Sequence, residues 1–258
     1  MVRKLSVIVP TYNEESNIRE CLESAKWADE VFIVDSFSTD GTIDIASGFT
    51  ERIIQHEYIN SATQKNWAIP QATHEWVMIV DSDERVTNEL KDEILTILSS
   101  EKPMDGYYIP RRNKFLGKDI KHGGWGRKSD YNLRLFRRDL GRYEEKHVHA
   151  DVILDGKAGY IKASFVHNSY PDLAKYIEKL NRYTDWAAKD LVKKGKPITL
   201  SHLLLGPLAT FIKMYLIKLG FLDGYHGFLL STLSAFYVYT KYVKARNLQN
   251  ISSQPDKD

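Results

Sequence analysis

Short apolar runs alternate with polar, helix-like segments over the first hundred residues. Four runs rich in Val and Ile predict buried strands, at residues 5–10, 30–35, 51–55 and 76–81. The segments between them predict helices or partial helices, at residues 14–28, 41–49 and 61–73. Repeated strand–helix units indicate a mostly parallel α/β sheet, whose ligands bind beyond the carboxyl ends of the strands.

Beyond residue 100 the pattern changes from irregular to helical. Residues 100–170 mix short strands with Gly-rich turns, whereas residues 171–194 place apolar side chains on one helical face. Residues 202–243 are the most apolar segment and predict two more helices. We therefore expect a first domain over residues 1–170, a helical region over residues 171–247 and a disordered tail over residues 248–258.

Glycine, proline and charged residues interrupt both C-terminal helices, at Gly206, Pro207, Lys213, Lys218, Asp223 and Gly224. A transmembrane helix needs about 20 mostly apolar residues, so we predict no clean membrane span. Three interpretations stay open for this region. The helices could lie in the membrane interface, form a buried hairpin, or form an interface between copies of the chain in a homo-oligomer.

Composition narrows the function classes only slightly. The formal net charge of the 258 residues is +2, which is too small to indicate a nucleic-acid partner. The single cysteine, Cys21, excludes an intrachain disulfide and a Cys-built zinc site. The first apolar run has about five residues, fewer than the roughly 7–15 of a signal peptide, so we expect a cytoplasmic protein.

The run VMIVDSDERV, residues 77–86, carries three acids within four positions at the end of a strand: Asp81, Asp83 and Glu84. Such carboxylates repel one another and resist burial, so a positive charge is expected beside them. Two carboxylates two residues apart suit Mg²⁺ or Mn²⁺ held together with a substrate diphosphate. Polar residues also follow the first two strands, at 11–14 and 35–36, which favours one shared site over three unrelated loops.

A phosphatase is the alternative for this motif. Haloacid-dehalogenase-like phosphatases also place Asp-X-Asp after an apolar strand, with the first Asp as nucleophile. Their motif continues with Thr or Val two residues after the second Asp, where this chain has Arg85. Three predicted strands precede the motif here, whereas the phosphatases carry it near the start of the chain. Both differences argue against a phosphatase.

Three ordered segments are similar to glycosyltransferase family 2, a family with the GT-A fold: LSVIVPTYNEESNIRECLES, VDSFSTDGT and VDSDE. Within that family, further segments resemble the bacterial lipopolysaccharide core β-1,4-glucosyltransferases: QKNWAI, GGW, RLFRR, HVHADV, VHNSY and GFLDGYHG. The resemblance covers nearly the whole chain. It implies metal-dependent, inverting transfer of a sugar from a UDP-sugar, such as UDP-glucose, to a lipopolysaccharide-core or other envelope saccharide or glycolipid. It also makes peripheral association with the inner membrane an expectation.

The resemblance also implies site residues. The nucleotide sugar would be bordered by Pro10, Thr11, Tyr12, Glu14, Asp35, Gln64, Lys65, Asn66, Asp81 and Arg134. Asp35 would accept the imide N–H of uracil, and Arg134 would pair with a phosphate. Mg²⁺ or Mn²⁺ would be bound by Asp83 and His167. Plainer alternatives are that Arg134 and Arg137 are surface charges, that Lys65 and Asn66 lie on an exposed helix face, and that His167 is a core histidine.

The general base is less well defined. In the family an acid directly follows the VH of this region, but here that position is Ala150. The candidates are Glu145, Asp151 and Glu144, and Glu145 is favoured because a one-residue offset turns Asp151 to the other face of a strand. The missing acid also keeps open a non-catalytic nucleotide-sugar-binding or scaffold protein. Trp125 either stacks on an acceptor sugar or anchors a Gly-rich loop.

Overall fold

The computed structural model describes residues 2–145, 150–195 and 197–252. The chain divides into two compact units, residues 1–112 with 127–169 and residues 113–126 with 170–258. The division falls beside the expected boundary at residue 170. The segment 113–126 differs from the expectation, because Phe115, Ile120 and Trp125 pack in the apolar cluster of the helical unit.

Twelve strands are present in the described part of the chain: β1 (Leu5–Thr11), β2 (Glu30–Asp35), β3 (Ile53–Gln55), β4 (Trp76–Ile79), β5 (Glu84–Val86), β6 (Gly106–Phe115), β7 (Lys118–Asp119), β8 (Tyr131–Arg137), β9 (Gly141–Tyr143), β10 (Val152–Leu154), β11 (Ala158–Tyr160) and β12 (Phe165–Tyr170). The main sheet has the order β3-β2-β1-β4-β8-β6-β12-β5, with β11 and β7 also paired to β6. The strands β9 and β10 form a separate antiparallel pair.

The strands β3, β2, β1 and β4 run parallel, as the apolar runs predict. Alternate side chains of β1 enter two different apolar clusters, Val7 and Val9 on one face and Ile8 on the other. The sheet is therefore covered on both faces. From β1 the chain first adds β2 and β3 on one side and later places β4 on the other side, so the topological switch point lies between β1 and β4. Open α/β sheets bind their ligands at such a point.

Four helices belong to the first unit: α1 (Glu15–Ala25), α2 (Thr42–Ser47), α3 (Ser61–Ala68) and α4 (Asn88–Ser99). The Asn60 side chain caps α3 by accepting a hydrogen bond from the Thr63 backbone N–H at 2.9 Å. This helix ends at Ala68, five residues earlier than expected, and a 3₁₀ turn over Ile69–Gln71 contains Pro70, which cannot donate to the helical ladder.

The second unit contains the helices α5 (Leu173–Lys193), α6 (Leu200–Ile212) and α7 (Gly224–Ser252). Because α7 extends to Ser252, the expectation that disorder begins at residue 248 is wrong. Leu248 packs against a small apolar cluster, and the Gln249 side chain accepts a hydrogen bond from the Ile198 backbone N–H at 3.1 Å. These contacts hold the end of the helix in place. Residues 253–258 lie outside the described part.

The apolar segment that begins with α6 is exposed. Residues Leu200–Ile217 are long and apolar enough to cross a membrane, and none of this segment is buried. By length and composition this segment is a candidate span among the described residues, whereas the interruptions predicted none. A π-helical turn over Lys213–Ile217 continues α6 despite Gly206 and Pro207.

Candidate functional site

The loops after β1, β2 and β4 lie together at one edge of the sheet. Thr11 and Asp35 are register partners at the ends of β1 and β2, and the Ser36 backbone N–H donates to the Thr11 carbonyl at 2.9 Å. The Val80 backbone N–H donates to the Ile8 carbonyl at 3.0 Å, which places Asp81 beside the end of β1. The parallel sheet therefore brings together the polar residues that the strand pattern predicted at this edge.

Asp81 is held between two cations of the chain itself. Its carboxylate lies 2.8 Å from Lys65 Nζ and 2.7 Å from Arg134 Nη2. Burial alone would raise the pKa of Asp81, but Arg134 and Lys65 hold that pKa well below its usual value. In turn Asp81 raises the pKa of both Lys65 and Arg134 against the effect of burial. All three groups are therefore charged at neutral pH.

Glu84 is fully buried and contacts both Asp81 and Arg134. One carboxylate oxygen accepts the Asp81 backbone N–H at 3.0 Å. The other lies 3.3 Å from Arg134 Nη2 and 3.5 Å from Arg111 Nη1. Arg111 also makes a forked pair with Asp130 at 3.0 and 2.8 Å. Sequence reasoning missed Arg111 and the supporting role of Glu84.

The charge expected beside the acid cluster is thus supplied largely by the protein. Asp81 and Glu84 are neutralised by Lys65, Arg134 and Arg111, so a metal is not needed for either of them. The expectation that a metal neutralises the whole cluster is wrong for these two acids. The third acid, Asp83, lies in a different environment.

Asp83 lies beside His167, which belongs to the neighbouring strand β12. Strand β12 pairs antiparallel with β5, and the Asn168 backbone N–H donates to the Asp83 carbonyl at 2.8 Å. This pairing brings His167 Nε2 to 3.4 Å from Asp83 Oδ1, with both side chains mostly buried. The other ring nitrogen, His167 Nδ1, lies 2.9 Å from Ser169 Oγ. If Nδ1 donates to Ser169, Nε2 has the lone pair that a metal ligand needs.

The chemistry of this pair fits a divalent metal. A carboxylate oxygen and an imidazole nitrogen are both ligands of first-row divalent metals such as Mn²⁺. Mg²⁺ sites commonly use one or two carboxylates together with substrate phosphates. No cluster of three or more His, Cys, Asp or Glu side chains suited to a metal occurs within residues 2–145, 150–195 and 197–252. A metal at Asp83 and His167 would therefore need further ligands from a substrate or from water.

Arg134 has hydrogen-bonding capacity to spare. Its side chain is 6% exposed, so the surface-charge alternative is wrong for this residue, whereas the Arg137 side chain is 45% exposed and pairs with Glu75 at 2.7 Å. Among the residues that the structure describes, nothing accepts a hydrogen bond from Arg134 Nε or Nη1, and the buried Tyr143 hydroxyl also has no partner. Buried donors without acceptors are rare, and here they indicate a place for an anionic ligand.

Three predicted nucleotide contacts are instead engaged in building the site. The Asp35 carboxylate is fully buried and accepts hydrogen bonds from Ser38 N at 2.9 Å and Gln55 Nε2 at 3.2 Å. Gln64 is buried and donates to the Val34 carbonyl at 3.2 Å and to a neighbouring serine. Asn66 makes two bonds to the Tyr143 backbone, donating at 2.8 Å and accepting at 2.7 Å.

The remaining predicted nucleotide contacts differ in accessibility. Tyr12 is half exposed, whereas Thr11 is buried and its hydroxyl has no partner within the described residues. Pro10 is partly buried. Glu14 accepts a hydrogen bond from Asn17 Nδ2 at 2.7 Å. Lys65 is 6% exposed, so the alternative of an exposed helix face is wrong for it.

The candidate bases lie between β9 and β10. Glu144 and Asp151 face each other, with Glu144 N donating to the Asp151 carbonyl at 2.9 Å and Asp151 N donating to the Glu144 carboxylate at 3.3 Å. Ala150 packs against the apolar cluster, while Asp151 is exposed. Glu145 is exposed, and residues 146–149, which include part of the HVHADV segment, lie outside the described part.

Trp125 belongs to the helical unit. It packs edge-on against Phe115 at 6.5 Å and lies 5.8 Å from the Tyr170 ring, and its carbonyl accepts a hydrogen bond from Asn113 Nδ2 at 2.9 Å. These contacts give it the anchoring role that was one of its two interpretations. Contact with an acceptor sugar stays a prediction.

Comparison with known proteins identifies the family. A sequence model of glycosyl transferase family 2 matches residues 6–157, more than half of the chain. The chain belongs to glycosyltransferase family 2. This membership confirms the resemblance drawn from the motifs and excludes the phosphatase alternative.

Two glycosyltransferases of other organisms match this chain along most of their length. The lipopolysaccharide core biosynthesis glycosyltransferase LpsC of Rhizobium meliloti is 27% identical over 98% of this chain and 96% of its own. An uncharacterized glycosyltransferase of Rickettsia typhi is 28% identical over 96% of this chain and 88% of its own.

A solved structure supports the fold. The mannosyltransferase PcManGT of Pyrobaculum calidifontis, solved with GDP-Man and Mn²⁺, superimposes with a TM-score of 0.56 at 19% identity, covering 95% of this chain and 87% of that one. The predicted α/β GT-A fold with C-terminal helices is therefore confirmed for this family 2 member.

Proposed function

We propose that this glycosyltransferase moves a hexose from a UDP-sugar to a lipopolysaccharide-core or related envelope saccharide, with inversion at the anomeric carbon. The observation that carries the proposal is that the two aspartates of the motif have different partners. Asp81 is neutralised by Lys65 and Arg134, whereas Asp83 lies beside His167. This arrangement suits one acid that orders the cationic side of the site and one that binds a divalent ion.

In this proposal Mg²⁺ or Mn²⁺ is held by Asp83 and His167 together with the donor diphosphate, and when bound it neutralises charge on the departing UDP. Arg134 acts on the same leaving group through its unpartnered Nε and Nη1. A rigid, mostly buried guanidinium already fixed by Asp81 and Glu84 needs no reorganisation to do so.

Asp35 acts on the nucleotide indirectly in this proposal. Because its carboxylate is buried under Ser38 and Gln55, it fixes the loop that meets the base. Direct acceptance of the uracil N–H would require that loop to move, so the structure argues against direct contact in this arrangement.

Glu145 is the proposed general base. An inverting displacement needs a carboxylate within hydrogen-bond reach of the acceptor hydroxyl, on the face opposite the leaving group. The Glu144 carboxylate already accepts a hydrogen bond from the Asp151 backbone N–H at 3.3 Å. Asp151 stands one residue beyond the position that carries the acid in the family, an offset that turns its side chain to the other face of a strand. Glu145, one residue further along, is exposed.

Two observations support the proposed acceptor class. The relative from Rhizobium meliloti acts in lipopolysaccharide core biosynthesis by its name, and it matches this chain over almost its full length. The helical unit exposes leucines along α6, with Lys213 and Lys218 exposed nearby. A peripheral position on the cytoplasmic face of the inner membrane would bring such an enzyme to a lipid-linked acceptor.

The test is a screen of UDP-sugars, beginning with UDP-glucose, for UDP release that depends on a divalent metal and on a core-saccharide acceptor. Glu145→Gln should lower kcat by about 10²- to 10⁴-fold while the Kd of UDP stays unchanged. Asp151→Asn serves as the matched control and should retain activity. Nucleotide-sugar binding without turnover on any acceptor would instead favour a binding protein.

A further inference from the structure

The loop after β2 contains an aromatic residue, Phe37, whose backbone has a conformation that favours glycine. Phe37 has φ +59° and its side chain is 54% exposed. A left-handed conformation brings Cβ of an L-residue close to the following carbonyl, and glycine avoids this cost. Since Phe37 is exposed, burial of its ring does not offset that cost. Strained residues that the surrounding structure enforces are often found at binding sites.

Hydrogen bonds on both sides of Phe37 enforce this conformation. The Asp35 carboxylate accepts from the backbone N–H of Ser38 at 2.9 Å and from its hydroxyl at 2.5 Å. The Ser38 hydroxyl in turn accepts the Asn13 backbone N–H at 2.9 Å. The Phe37 ring is therefore presented outward from a turn that is fastened to the loop after β1.

The ring belongs to an aromatic rim at the ligand-binding edge of the sheet. The loops after β1, β2 and β3 each carry an exposed aromatic side chain: Tyr12 at 50%, Phe37 at 54% and Tyr58 at 41%. These strands are neighbours in the parallel sheet, so their carboxyl ends share one edge. Phe37 comes from the middle strand of the three.

We propose that Phe37 is a donor-binding residue whose ring stacks on the nucleobase of the nucleotide sugar. Every base has an aromatic face, and stacking on an aromatic side chain contributes substantially to nucleotide binding. Stacking by Phe37 and fixation of its loop by the buried Asp35 together give the base a contact that Asp35 does not make directly. The proposal rests on the proposed function, because it needs a nucleotide-sugar donor.

The test separates the effect of the Phe37 ring on UDP binding from the effect of its backbone conformation on stability. Phe37→Gly removes the ring and the strained Cβ together, so the Kd of UDP should weaken by about fivefold to a hundredfold while the Tm does not fall. Phe37→Tyr keeps a stacking ring and should retain the wild-type Kd within about threefold. Leu219→Gly is the matched control, since Leu219 is also exposed with φ +58° but belongs to the other unit, and its Kd for UDP should be unchanged.

Calorimetric titration of UDP into each variant, with a thermal melt, gives the answer. An unchanged Kd for Phe37→Gly overturns the proposal, as does a weaker Kd accompanied by an equally clear fall in Tm. An effect confined to the KM of the saccharide acceptor also overturns it, because the ring would then contact the acceptor. If wild-type protein binds no uridine nucleotide, the proposed function fails first and this inference fails with it.

Discussion

Nη2 of Arg134 lies 2.7 Å from Oδ2 of Asp81 inside the sheet edge, and this ion pair fixes how the remaining groups of the site are used. With Asp81 committed to Arg134 and Lys65, Asp83 is the acid of the motif that lies beside a histidine. Arg134, held at one nitrogen, keeps two further nitrogens without a described partner. The pair thereby separates the cationic side of the site from Asp83 and His167, where we propose that a metal binds.

Arg134→Lys should weaken UDP binding although it keeps the positive charge. Lysine has no fork of nitrogens and cannot hold Asp81 and Glu84 while also donating to a phosphate. A charge-assisted hydrogen bond contributes about 1.5–3 kcal/mol, so the Kd of UDP should rise by about tenfold to a hundredfold. Calorimetric titration measures the change. Arg137→Lys, at an exposed position on the same strand, should leave the Kd unchanged, and equal effects of the two variants would contradict the assignment.

Stability should depend on acid pH through Asp81. Because the pKa of Asp81 is lower in the folded chain than in the unfolded chain, its contribution is present above the unfolded pKa of about 3.9 and is lost as the pH falls below it. Urea unfolding at stepped pH should therefore show the free energy of unfolding falling below about pH 4.

Asp81→Asn should flatten that acid dependence. It should also lower the free energy of unfolding by about 3 kcal/mol at pH 7, because buried Lys65 and Arg134 lose a shared partner. Asp92→Asn, on the exposed face of α4, should change neither quantity. An acid dependence in Asp81→Asn as steep as in wild type would show that other carboxylates dominate.

Asn66→Asp should impair turnover through the position of β9. Aspartate can accept the Tyr143 N–H but cannot donate to its carbonyl, so one of the two bonds that join α3 to β9 is lost. We expect the free energy of unfolding to fall by about 1 kcal/mol. We also expect kcat to fall by a larger factor than that by which the Kd of UDP rises, because β9 leads directly to Glu144 and Glu145. Asn88→Asp, at the start of α4, is the control. If kcat and Kd change in proportion, Asn66 has no selective effect on the base-bearing segment.

The exposed leucines of α6 should be required for membrane binding. Leu204→Gln with Leu208→Gln removes two side chains that are 61% and 55% exposed, so folding should be retained while partitioning to anionic vesicles falls by about tenfold or more. Flotation measures the partitioning. Ile153→Gln, at 63% exposure in the first unit, is the control. Unchanged flotation together with a smaller particle in size-exclusion chromatography would point instead to an interface between copies of the chain.

The sequence could predict the edge of the sheet that carries the site, because apolar runs ending in polar residues identify parallel strands and their carboxyl ends. It could not predict what neutralises Asp81. Arg134 reaches the end of β4 through the antiparallel register of β8, in which Met78 faces Leu135, and register is set by tertiary packing. The same limit applies to Asn66, which the family resemblance assigned to the nucleotide and which the structure pairs with the Tyr143 backbone.

The order of residues 248–252 could not be predicted from the sequence for a related reason. A polar composition after residue 247 indicated disorder, but contacts of Leu248 and Gln249 with distant residues hold the end of α7. Those contacts depend on how α7 packs within its unit, and no local pattern reports them.

We propose that Asp83 and His167 hold a divalent metal together with the donor diphosphate, while Asp81 does not bind it. Calorimetric titration of Mn²⁺ into UDP-saturated protein tests it directly in wild type, Asp83→Ala, His167→Ala and the exposed control Asp92→Asn. Asp83→Ala and His167→Ala should each weaken Mn²⁺ binding by about tenfold or more, and Asp92→Asn should leave it unchanged. Wild-type Mn²⁺ affinity in Asp83→Ala would contradict it.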